Sequence, residues 1–294
     1  MVQGAGMKKF TALIPGGRNG MLGQALTQVM LGSGWTTLSP GKKELDLFDQ
    51  HKVEEFIKLH QVDLVANTSA YTDVDGAEED QQKAFLLNRD LPGILGRACR
   101  EMDICLMHYS TDFVFDGRKN TPYTTEDQTG PLNIYGRSKL QGEKVLLDHD
   151  WGKLLIIRTA WLFGPFKTNF VHKILNLARK RKSISVVYDQ VGSPTNTLDL
   201  ARYSLELFEK QTTGVYHVVN KGQASWCELA TESINSAGLS CRVVPIPSSE
   251  YPQKALRPAY SVLDCSKFSM VTGVSPKPWV QALRDYIYYY EDHV

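Results

Sequence analysis

The stretch FTALIPGGRNGMLGQALTQVM, residues 10–30, joins a short apolar run to a helical pattern through a glycine-rich turn. Within the turn, Gly17, Gly20 and Gly23 follow the spacing Gly-x-x-Gly-x-x-Gly. Between a buried strand and a helix, such a turn lets a pyrophosphate approach the bare backbone and the amides of the helix N-terminus. The spacing alone is also typical of an ordinary helix start. Because it begins an alternating strand–helix pattern, we interpret it as a dinucleotide-binding turn.

The alternation of strands and helices continues along the chain. Four further apolar runs predict buried strands: WTTLS (35–39), VDLVANTS (62–69), ICLMHYS (104–110) and KLLIIRTAW (153–161). This order predicts an α/β protein with a Rossmann-type, doubly wound parallel sheet. After Gly164 the pattern loosens, which indicates a smaller C-terminal α/β substrate-binding lobe. We expect the dinucleotide-binding domain at residues 7–164, beginning at Met7, and the lobe mainly at residues 165–294, with excursions of the chain between them.

Composition excludes several classes of protein. The 294 residues hold 33 basic and 32 acidic side chains, so no basic surface for nucleic acid or anionic membrane is indicated. The five cysteines form no Cys-x-x-Cys pair, which argues against a disulfide framework or zinc site and is typical of a reducing cytoplasm. No apolar run reaches the roughly 18–20 residues of a membrane span, and the N-terminus lacks a secretory pattern. We expect a cytoplasmic protein that binds neither nucleic acid nor membrane.

The region after the second strand bears on the choice of dinucleotide. It reads TTLSPGKK, without the acidic residue that usually binds the ribose 2′-hydroxyl of NAD. Arg18 in the glycine turn could hold a 2′-phosphate together with Lys42 and Lys43. Loop lysines are, however, most commonly just solvated. The sequence therefore favours NADPH as the cofactor and leaves NADH open.

Small and polar side chains follow the third and fourth predicted strands. The third strand is followed by residues small enough to let a cofactor lie across its end: Thr68, Ser69 and Ala70. The fourth strand is followed, at the edge where open α/β sheets bind ligands, by Ser110, Thr111 and Asp112. We interpret the acidic residues between positions 73 and 80 as helix caps and first-turn residues, because carboxylates stabilise a helix N-terminus. We expect no metal site.

Tyr135 and Lys139 lie four residues apart in LNIYGRSKLQGEKVLLDH (132–149), a pattern of helical period. Residues at i and i+4 share one helix face, so a phenol and an ammonium can reach the same ligand. A phenol with a pKa near 10 is a poor acid at neutral pH, and a nearby ammonium lowers that pKa. A hydroxyl of Thr111 or Ser110 could hold a carbonyl beside the phenol. The pattern is also common on helix surfaces, but the glycine turn upstream favours a catalytic pair. We interpret His108 as a packed strand residue.

Segments in a characteristic order run over nearly the whole chain: GGRNGMLGQAL, LDLFD, NTSAYTDVDGAE, HYSTDFVFDG, YGRSKLQGE, RTAWLFG, DQVGSPT and RPAYSVLD. They resemble the extended short-chain dehydrogenase/reductase family, and within it the dTDP-4-dehydrorhamnose reductases. The resemblance implies an NAD(P)H-dependent oxidoreductase that reduces the C4 ketone of dTDP-4-dehydro-6-deoxy-L-mannose (dTDP-4-dehydrorhamnose) to dTDP-L-rhamnose. It implies that Tyr135 donates the proton, that Lys139 lowers the pKa of that phenol and holds the nicotinamide ribose, and that Thr111 supplies a third catalytic hydroxyl.

The resemblance also implies binding residues for a cofactor and for a dTDP-linked 4-keto-6-deoxyhexose. Positions that match the cofactor site are Gly17, Arg18, Asn19, Gly20, Met21, Leu22, Gly23, Asp46, Leu47, Thr68, Ser69, Ala70, Tyr71, Ser110, Tyr135 and Lys139. Positions that match the substrate site, or lie on its side of the second lobe, are Thr72, Val74, Thr111, Asp112, Tyr135, Trp161, Asn169 and Arg257. We infer a diphosphate contact for Arg257 from the bidentate chemistry of its guanidinium.

The sequence departs from the family pattern at Ala25 and Leu198. Some bacterial members form dimers around magnesium bound by glutamates at these positions, so we expect a monomer or a metal-independent homodimer. Phe113 stands where dehydratases of the superfamily carry an acid, which argues against dehydration. Two alternatives stay open: a reductase of another nucleotide-linked 4-keto-6-deoxysugar, and a non-catalytic regulatory subunit resembling the methionine adenosyltransferase beta subunit.

Overall fold

The computed structural model describes residues 9–148 and 151–290, so the predicted domain start at Met7 lies outside the described residues. Within these ranges the strands are β1 (Thr11–Leu13), β2 (Thr36–Leu38), β3 (Leu64–Asn67), β4 (Cys105–Thr111), β5 (Leu154–Thr159), β6 (Leu162–Phe163), β7 (Ser183–Val187), β8 (Val191–Gly192), β9 (Thr195–Asn196), β10 (Gly214–His217), β11 (Ala224–Ser225) and β12 (Arg242–Ile246). The α-helices are α1 (Met21–Gly32), α2 (Gln50–Leu59), α3 (Val74–Glu79), α4 (Gln81–Phe85), α5 (Leu91–Glu101), α6 (Ile134–Leu147), α7 (Phe170–Ala178), α8 (Thr197–Glu209), α9 (Trp226–Ser236), α10 (Ser266–Thr272) and α11 (Trp279–Tyr290).

A parallel sheet forms the centre of the molecule. In the described ranges it has six strands in the order β10-β5-β4-β3-β1-β2, and every pairing is parallel. The chain leaves β1 toward β2 on one side and later enters β3 on the other. The strand order therefore reverses between β1 and β3, and ligands of open α/β sheets bind beyond the strand ends at such a point. The prediction of a Rossmann-type, doubly wound parallel sheet is confirmed.

Helices cover both faces of the sheet because its central strands are apolar on both sides. In β5, Leu155 packs into a core with Leu26 of α1 and Leu200 of α8. The next residue, Ile156, points to the other face and packs into a core with Leu95 of α5 and residues of α2 and α6. The helix that carries Tyr135 and Lys139 is thereby fixed against one face of the sheet.

The C-terminal lobe is built on a second, smaller sheet. Strands β7 and β12 pair in parallel, and helices α7 and α9 pack against them through Ile174 and Ala230. Helix α11 packs on the far side of α7 and α9 through Leu283. Strand β10, which lies beyond residue 164, pairs with β5 in the central sheet. The domain boundary at residue 164 stays a prediction.

The helical pattern of residues 81–102 is not one regular helix. Between α4 and α5 the backbone forms a π-helix at Leu86–Asp90. This wider turn places Asn88, which is fully buried, toward α6. Across residues 9–148 and 151–290, no helix combines the length and the apolar character needed to cross a membrane.

Candidate active site

The glycine turn after β1 is too tightly packed for side chains. Gly16 has φ of +82°, a conformation that L-residues rarely adopt. A Cβ on Gly23 would lie 2.5 Å from Cα of Gly17, and a Cβ on Gly20 would lie 2.7 Å from the carbonyl oxygen of Gly16. Thr68, at the end of β3, donates from Oγ1 to the Pro15 carbonyl oxygen at 2.8 Å. The turn is thus held against β3 at the point where the strand order reverses.

The residues present fit a dinucleotide. Gly20 begins α1 without a side-chain cap, and the first turn of the helix carries no acidic residue, so backbone amides face the place where a pyrophosphate would lie. The hydroxyl of Ser39, beside Gly17, is buried without a hydrogen-bond partner in the described residues, as is that of Ser110 at the end of β4. Buried hydroxyls without partners are uncommon, and polar groups of a bound dinucleotide would supply partners for both.

Arg18 forms an ion pair that the sequence analysis did not anticipate. Its Nη2 lies 3.0 Å from Oε2 of Glu44, and both side chains are more than half exposed. Oε2 of Glu44 also accepts the amide of Gly41, which, with the Arg18 charge, holds the pKa of Glu44 below its usual value. Lys42 and Lys43 are exposed in the same loop. The predicted cluster of Arg18, Lys42 and Lys43 therefore also contains the Glu44 carboxylate.

Lys139 lies buried on α6, beneath the end of β4. Its Nζ donates to the Tyr109 carbonyl oxygen at 2.5 Å and lies 3.4 Å from Nε2 of His108. Burial lowers the pKa of Lys139 to about 8, and the Glu143 carboxylate opposes that shift. His108, interpreted as a packed strand residue, is indeed fully buried, but it also contacts the catalytic candidate.

Tyr135 and Thr111 meet where β4 ends beside α6. Burial raises the pKa of Tyr135 to about 12, while a hydrogen-bond contact with Thr111 opposes the rise. The resemblance implies that Lys139 lowers the pKa of this phenol. In the structure the Lys139 Nζ is directed at Tyr109 and His108, so that effect stays a prediction. With its pKa raised, the Tyr135 phenol carries its proton at neutral pH but is a weaker acid than an unperturbed tyrosine.

Asp112 is the buried acid of the site. Oδ1 accepts from Oγ1 of Thr111 at 3.0 Å, and Oδ2 accepts from Oγ of Ser261 at 2.6 Å. Burial raises the pKa of Asp112 to about 6, although both hydroxyl bonds favour the carboxylate. Ser261 comes from the RPAYSVLD segment, so this contact ties a C-terminal loop to the end of β4.

Residues 11–291 match the family described as RmlD substrate binding domain. The chain belongs to this family. The spore coat polysaccharide biosynthesis protein SpsK of Bacillus subtilis (strain 168) is 36% identical over 278 residues, which cover 95% of this chain and 97% of the relative. The dTDP-4-dehydrorhamnose reductase of Mycolicibacterium smegmatis is 38% identical over 274 residues, covering 92% of this chain and 83% of the relative. The crystal structure of dTDP-4-dehydrorhamnose reductase from Bacillus anthracis in complex with NADP has a TM-score of 0.91 at 31% identity and covers 96% of this chain and 99% of its own. The family prediction is confirmed.

Asn88 was missed by the sequence analysis. From the π-helix its Oδ1 accepts the amide of Tyr71 at 2.8 Å, and its Nδ2 donates to the Tyr71 carbonyl oxygen at 3.0 Å and to Oγ of Ser138 at 2.9 Å. Gly142 of α6 packs so closely on the Asn88 carbonyl that a Cβ there would overlap it. Asn88 thus links the predicted cofactor segment to the catalytic helix of this RmlD-family protein. A single sequence carries no signal for a π-helix.

The remaining predicted cofactor residues lie around the glycine turn or on the loop after β2. Asn19 and Asp46 are exposed, Met21, Leu47 and Ala70 are half-buried, and Leu22 is buried under the turn. Asp46 accepts the amide of Phe48 at 3.0 Å, so its carboxylate is occupied locally. Their contacts to a cofactor stay predictions.

On the substrate side, Trp161 is the most distinctive residue. Its ring stacks on that of Trp226 with centroids 3.5 Å apart and planes 1° from parallel. Trp161 has φ of +47°, and a Cβ on Gly192 would overlap its indole. The stacking on Trp226 and the close packing of Gly192 hold this uncommon backbone conformation in place, and a contact of Trp161 to the substrate stays a prediction. Thr72 and Val74 lie before and at the start of α3, exposed and half-buried.

Two predicted substrate residues are engaged within the protein. Asn169 caps α7 by accepting the amide of His172 at 3.2 Å, and its Nδ2 donates to the Gly164 carbonyl oxygen at 2.8 Å. Arg257 makes a bidentate pair with Asp75, at 2.8 Å from Nη2 and 3.1 Å from Nη1. A diphosphate contact would require Arg257 to leave or share Asp75, so its predicted role is not visible in the geometry and stays a prediction.

Proposed function

We propose that this RmlD-family protein reduces the C4 ketone of dTDP-4-dehydrorhamnose to dTDP-L-rhamnose with NADPH as hydride donor. The observation that carries the proposal is the convergence of Tyr135, Thr111 and Lys139 at the carboxyl edge of the sheet, next to an uncapped glycine turn. The regulatory-subunit alternative is not favoured, because relatives that match most of this chain are named dTDP-4-dehydrorhamnose reductase. NADPH is favoured by Arg18, Lys42 and Lys43; NADH remains the alternative donor.

Tyr135 is the proton donor in this proposal. A bound reduced nicotinamide supplies the hydride that adds to C4 of the sugar. The developing oxyanion takes the Tyr135 proton, since a phenol with a pKa of about 12 carries its proton at neutral pH. The Thr111 hydroxyl orients the same oxygen by a hydrogen bond. Lys139 would return a proton to the phenolate and would hold the nicotinamide ribose.

The sugar nucleotide is proposed to lie between the end of β4 and the C-terminal lobe. The Trp161 indole, supported on one face by Trp226, is proposed as an apolar wall for the hexose. Asp112, Thr72, Val74 and Asn169 are proposed as its further neighbours, with Arg257 close to the diphosphate. We place the enzyme in the cytoplasm.

A monomer or a metal-independent dimer is proposed because Ala25 and Leu198 replace the glutamates that are expected to bind magnesium in some members of the family. Ala25 and Leu198 are both buried in the core that α1 and α8 share. Neither an alanine nor a leucine side chain can bind a cation. The oligomeric state would be measured by sedimentation with and without magnesium, and an unchanged state is expected.

The direct test is oxidation of NADPH in the presence of dTDP-4-keto-6-deoxy-L-mannose, prepared by the preceding enzymes of the pathway. Wild type should turn over, and Tyr135→Phe should lose roughly 10²–10⁴-fold in rate, the usual contribution of a general acid. Tyr288→Phe, at a tyrosine of α11 that is 81% exposed, is the matched control and should stay active. No turnover by wild-type protein that still binds NADPH would refute the assignment of this substrate.

A further inference from the structure

Behind Lys139, a buried chain of polar groups runs from β3 through β4 to α6. Nδ2 of Asn67 lies 3.1 Å from Nδ1 of His108, and Nε2 of the same ring lies 3.4 Å from Nζ of Lys139. Asn67, His108 and Lys139 are each at most 2% exposed. The mechanism proposed above uses Lys139 but assigns nothing to the other two residues.

The orientation of the Asn67 amide is determined by the backbone. Oδ1 of Asn67 accepts the amide of Ser69 at 3.1 Å. Exchanging the amide oxygen and nitrogen would bring the Asn67 NH₂ against that backbone N–H, so the NH₂ group must face His108. Nδ1 of His108 therefore accepts a hydrogen bond and carries no proton. Because burial and the neighbouring Lys139 hold the pKa of His108 well below its ordinary value, the ring is neutral and its proton is on Nε2.

An Nε2–H group directed at Lys139 has a consequence for the amine. An ammonium offers three donors and no acceptor, whereas a neutral amine offers two donors and one lone pair. One N–H of Lys139 is used by the Tyr109 carbonyl oxygen. The lone pair of a neutral amine would accept from Nε2–H of His108, and its second N–H would stay free for the cofactor side.

Other charged and titratable groups also surround Lys139. On its own helix, Tyr135 lies one turn before it and Glu143 one turn after, and the Glu143 carboxylate favours the ammonium. Glu143 is itself paired with Arg158 of β5, which weakens this pull. From β4, Asp112 lies beyond Tyr135 and raises the pKa of that phenol. The His108 N–H is the group among these that specifically favours the neutral amine.

We propose that Asn67 and His108 are positioning residues that favour the neutral amine of Lys139 by directing the Nε2–H of His108 at its Nζ. Resting on the proposed reductase function, this arrangement favours transfer of the Lys139 proton to the Tyr135 phenolate after each reduction. The proton leaves the ammonium, the phenol is restored, and the amine lone pair comes to rest on Nε2–H of His108. Solvent supplies the next proton to Lys139.

The tautomer can be measured without turnover. Protein with ¹⁵N-labelled histidine and lysine would be examined by NMR, with the His108 signals assigned by their loss in His108→Phe. We expect Nε2 to be protonated and Nδ1 unprotonated across the range in which histidine usually titrates, about pH 5–8. A proton on Nδ1, or titration of His108 within that range, would overturn the proposal. The tautomer is read on wild-type protein, and His108→Leu supplies the assignment if His108→Phe does not fold.

Asn67→Asp reverses the hydrogen bond. An aspartate accepts from Nδ1–H of His108, so Nε2 becomes the acceptor and favours the Lys139 ammonium. The Lys139 pKa, followed by NMR of Nζ, should rise by at least about one unit, a tenfold change in its ionisation equilibrium. The added charge would also raise that pKa directly, so the same substitution is repeated in the His108→Phe background, or His108→Leu if the first does not fold.

The double variant separates the effect that passes through the His108 ring from the direct effect of the new aspartate charge on the Lys139 pKa. If the effect passes through the imidazole, most of the Asn67→Asp shift disappears when His108 is absent. A shift of equal size in both backgrounds would refute the positioning role. Turnover measured beside these titrations separates the reductase function from the positioning role of Asn67 and His108. An inactive wild type with the expected tautomer would contradict the reductase assignment and leave the positioning role intact.

Discussion

Replacing Glu143 by glutamine should destabilise the protein through one buried ion pair. The Arg158 and Glu143 side chains are 6% and 1% exposed, and Nη2 of Arg158 lies 2.7 Å from Oε2 of Glu143, with Nε at 3.0 and 3.2 Å from the two carboxylate oxygens. In Glu143→Gln the guanidinium would keep a neutral amide oxygen as an acceptor, Nε2 of His217 at 3.5 Å and the ring of Phe115, 5.3 Å away, but it would lose the negative charge of its carboxylate partner. An uncompensated buried charge costs about 3–5 kcal/mol. Since domains are commonly stable by about 5–15 kcal/mol, this is a large share.

Urea unfolding at 25 °C is the assay for this loss. The midpoint should fall while the slope with denaturant stays unchanged, which shows a change of stability rather than of unfolded-state compactness. Glu143→Leu combined with Arg158→Met removes both charges and should unfold much nearer to wild type, because an apolar replacement of a buried pair is often neutral. A loss below about 1 kcal/mol in the single variant, or an equal loss in the double variant, would refute the reasoning.

Three further outcomes are expected from single positions. Gly23→Ala places a Cβ 2.5 Å from Cα of Gly17 and should raise the Kd for NADPH at least about tenfold in a fluorescence titration; unchanged binding would contradict the role of the turn. Burial raises the pKa of the Asp112 carboxyl from 3.8 to about 6, so its contribution to stability is fully present below about pH 4 and is lost as the pH rises through about 6; Asp112→Asn should flatten the stability profile over that window, and a persisting slope there would have another source. Trp226→Ala removes the ring that supports Trp161 and should raise KM for the sugar nucleotide roughly tenfold with little change in kcat; a fall in kcat alone would place the stacked pair outside substrate binding.

The parallel sheet and its strands follow from local patterns. Apolar runs of strand length alternate with helical periods. Strands β1, β2, β3 and β5 fall inside the runs that predict them, and β4 extends one residue beyond its run, to Thr111. Tyr135 and Lys139 share a helix face because of their spacing, which is independent of the rest of the fold. Strand β10 is the exception: it lies in the C-terminal half, where the alternating pattern has loosened, and only its pairing with β5 makes GVYH part of the sheet.

The contacts around the catalytic groups do not follow from local sequence patterns. Asn67 and His108 are 41 residues apart in the chain, Asp112 and Ser261 149, and Arg18 and Glu44 26. No periodicity connects such pairs, since they meet only when parallel strands come into register or a distant loop folds back over the sheet.

By itself, the sequence determined that this is a doubly wound α/β protein of the reductase type, with a glycine turn and a Tyr–Lys helix. Tertiary structure alone decided which groups face those residues: the carbonyl and imidazole at Lys139, the carboxylate beside Arg18 and the serine on Asp112. The physical reason is that secondary structure depends on neighbours along the chain, whereas ionisation and hydrogen bonding depend on neighbours in space.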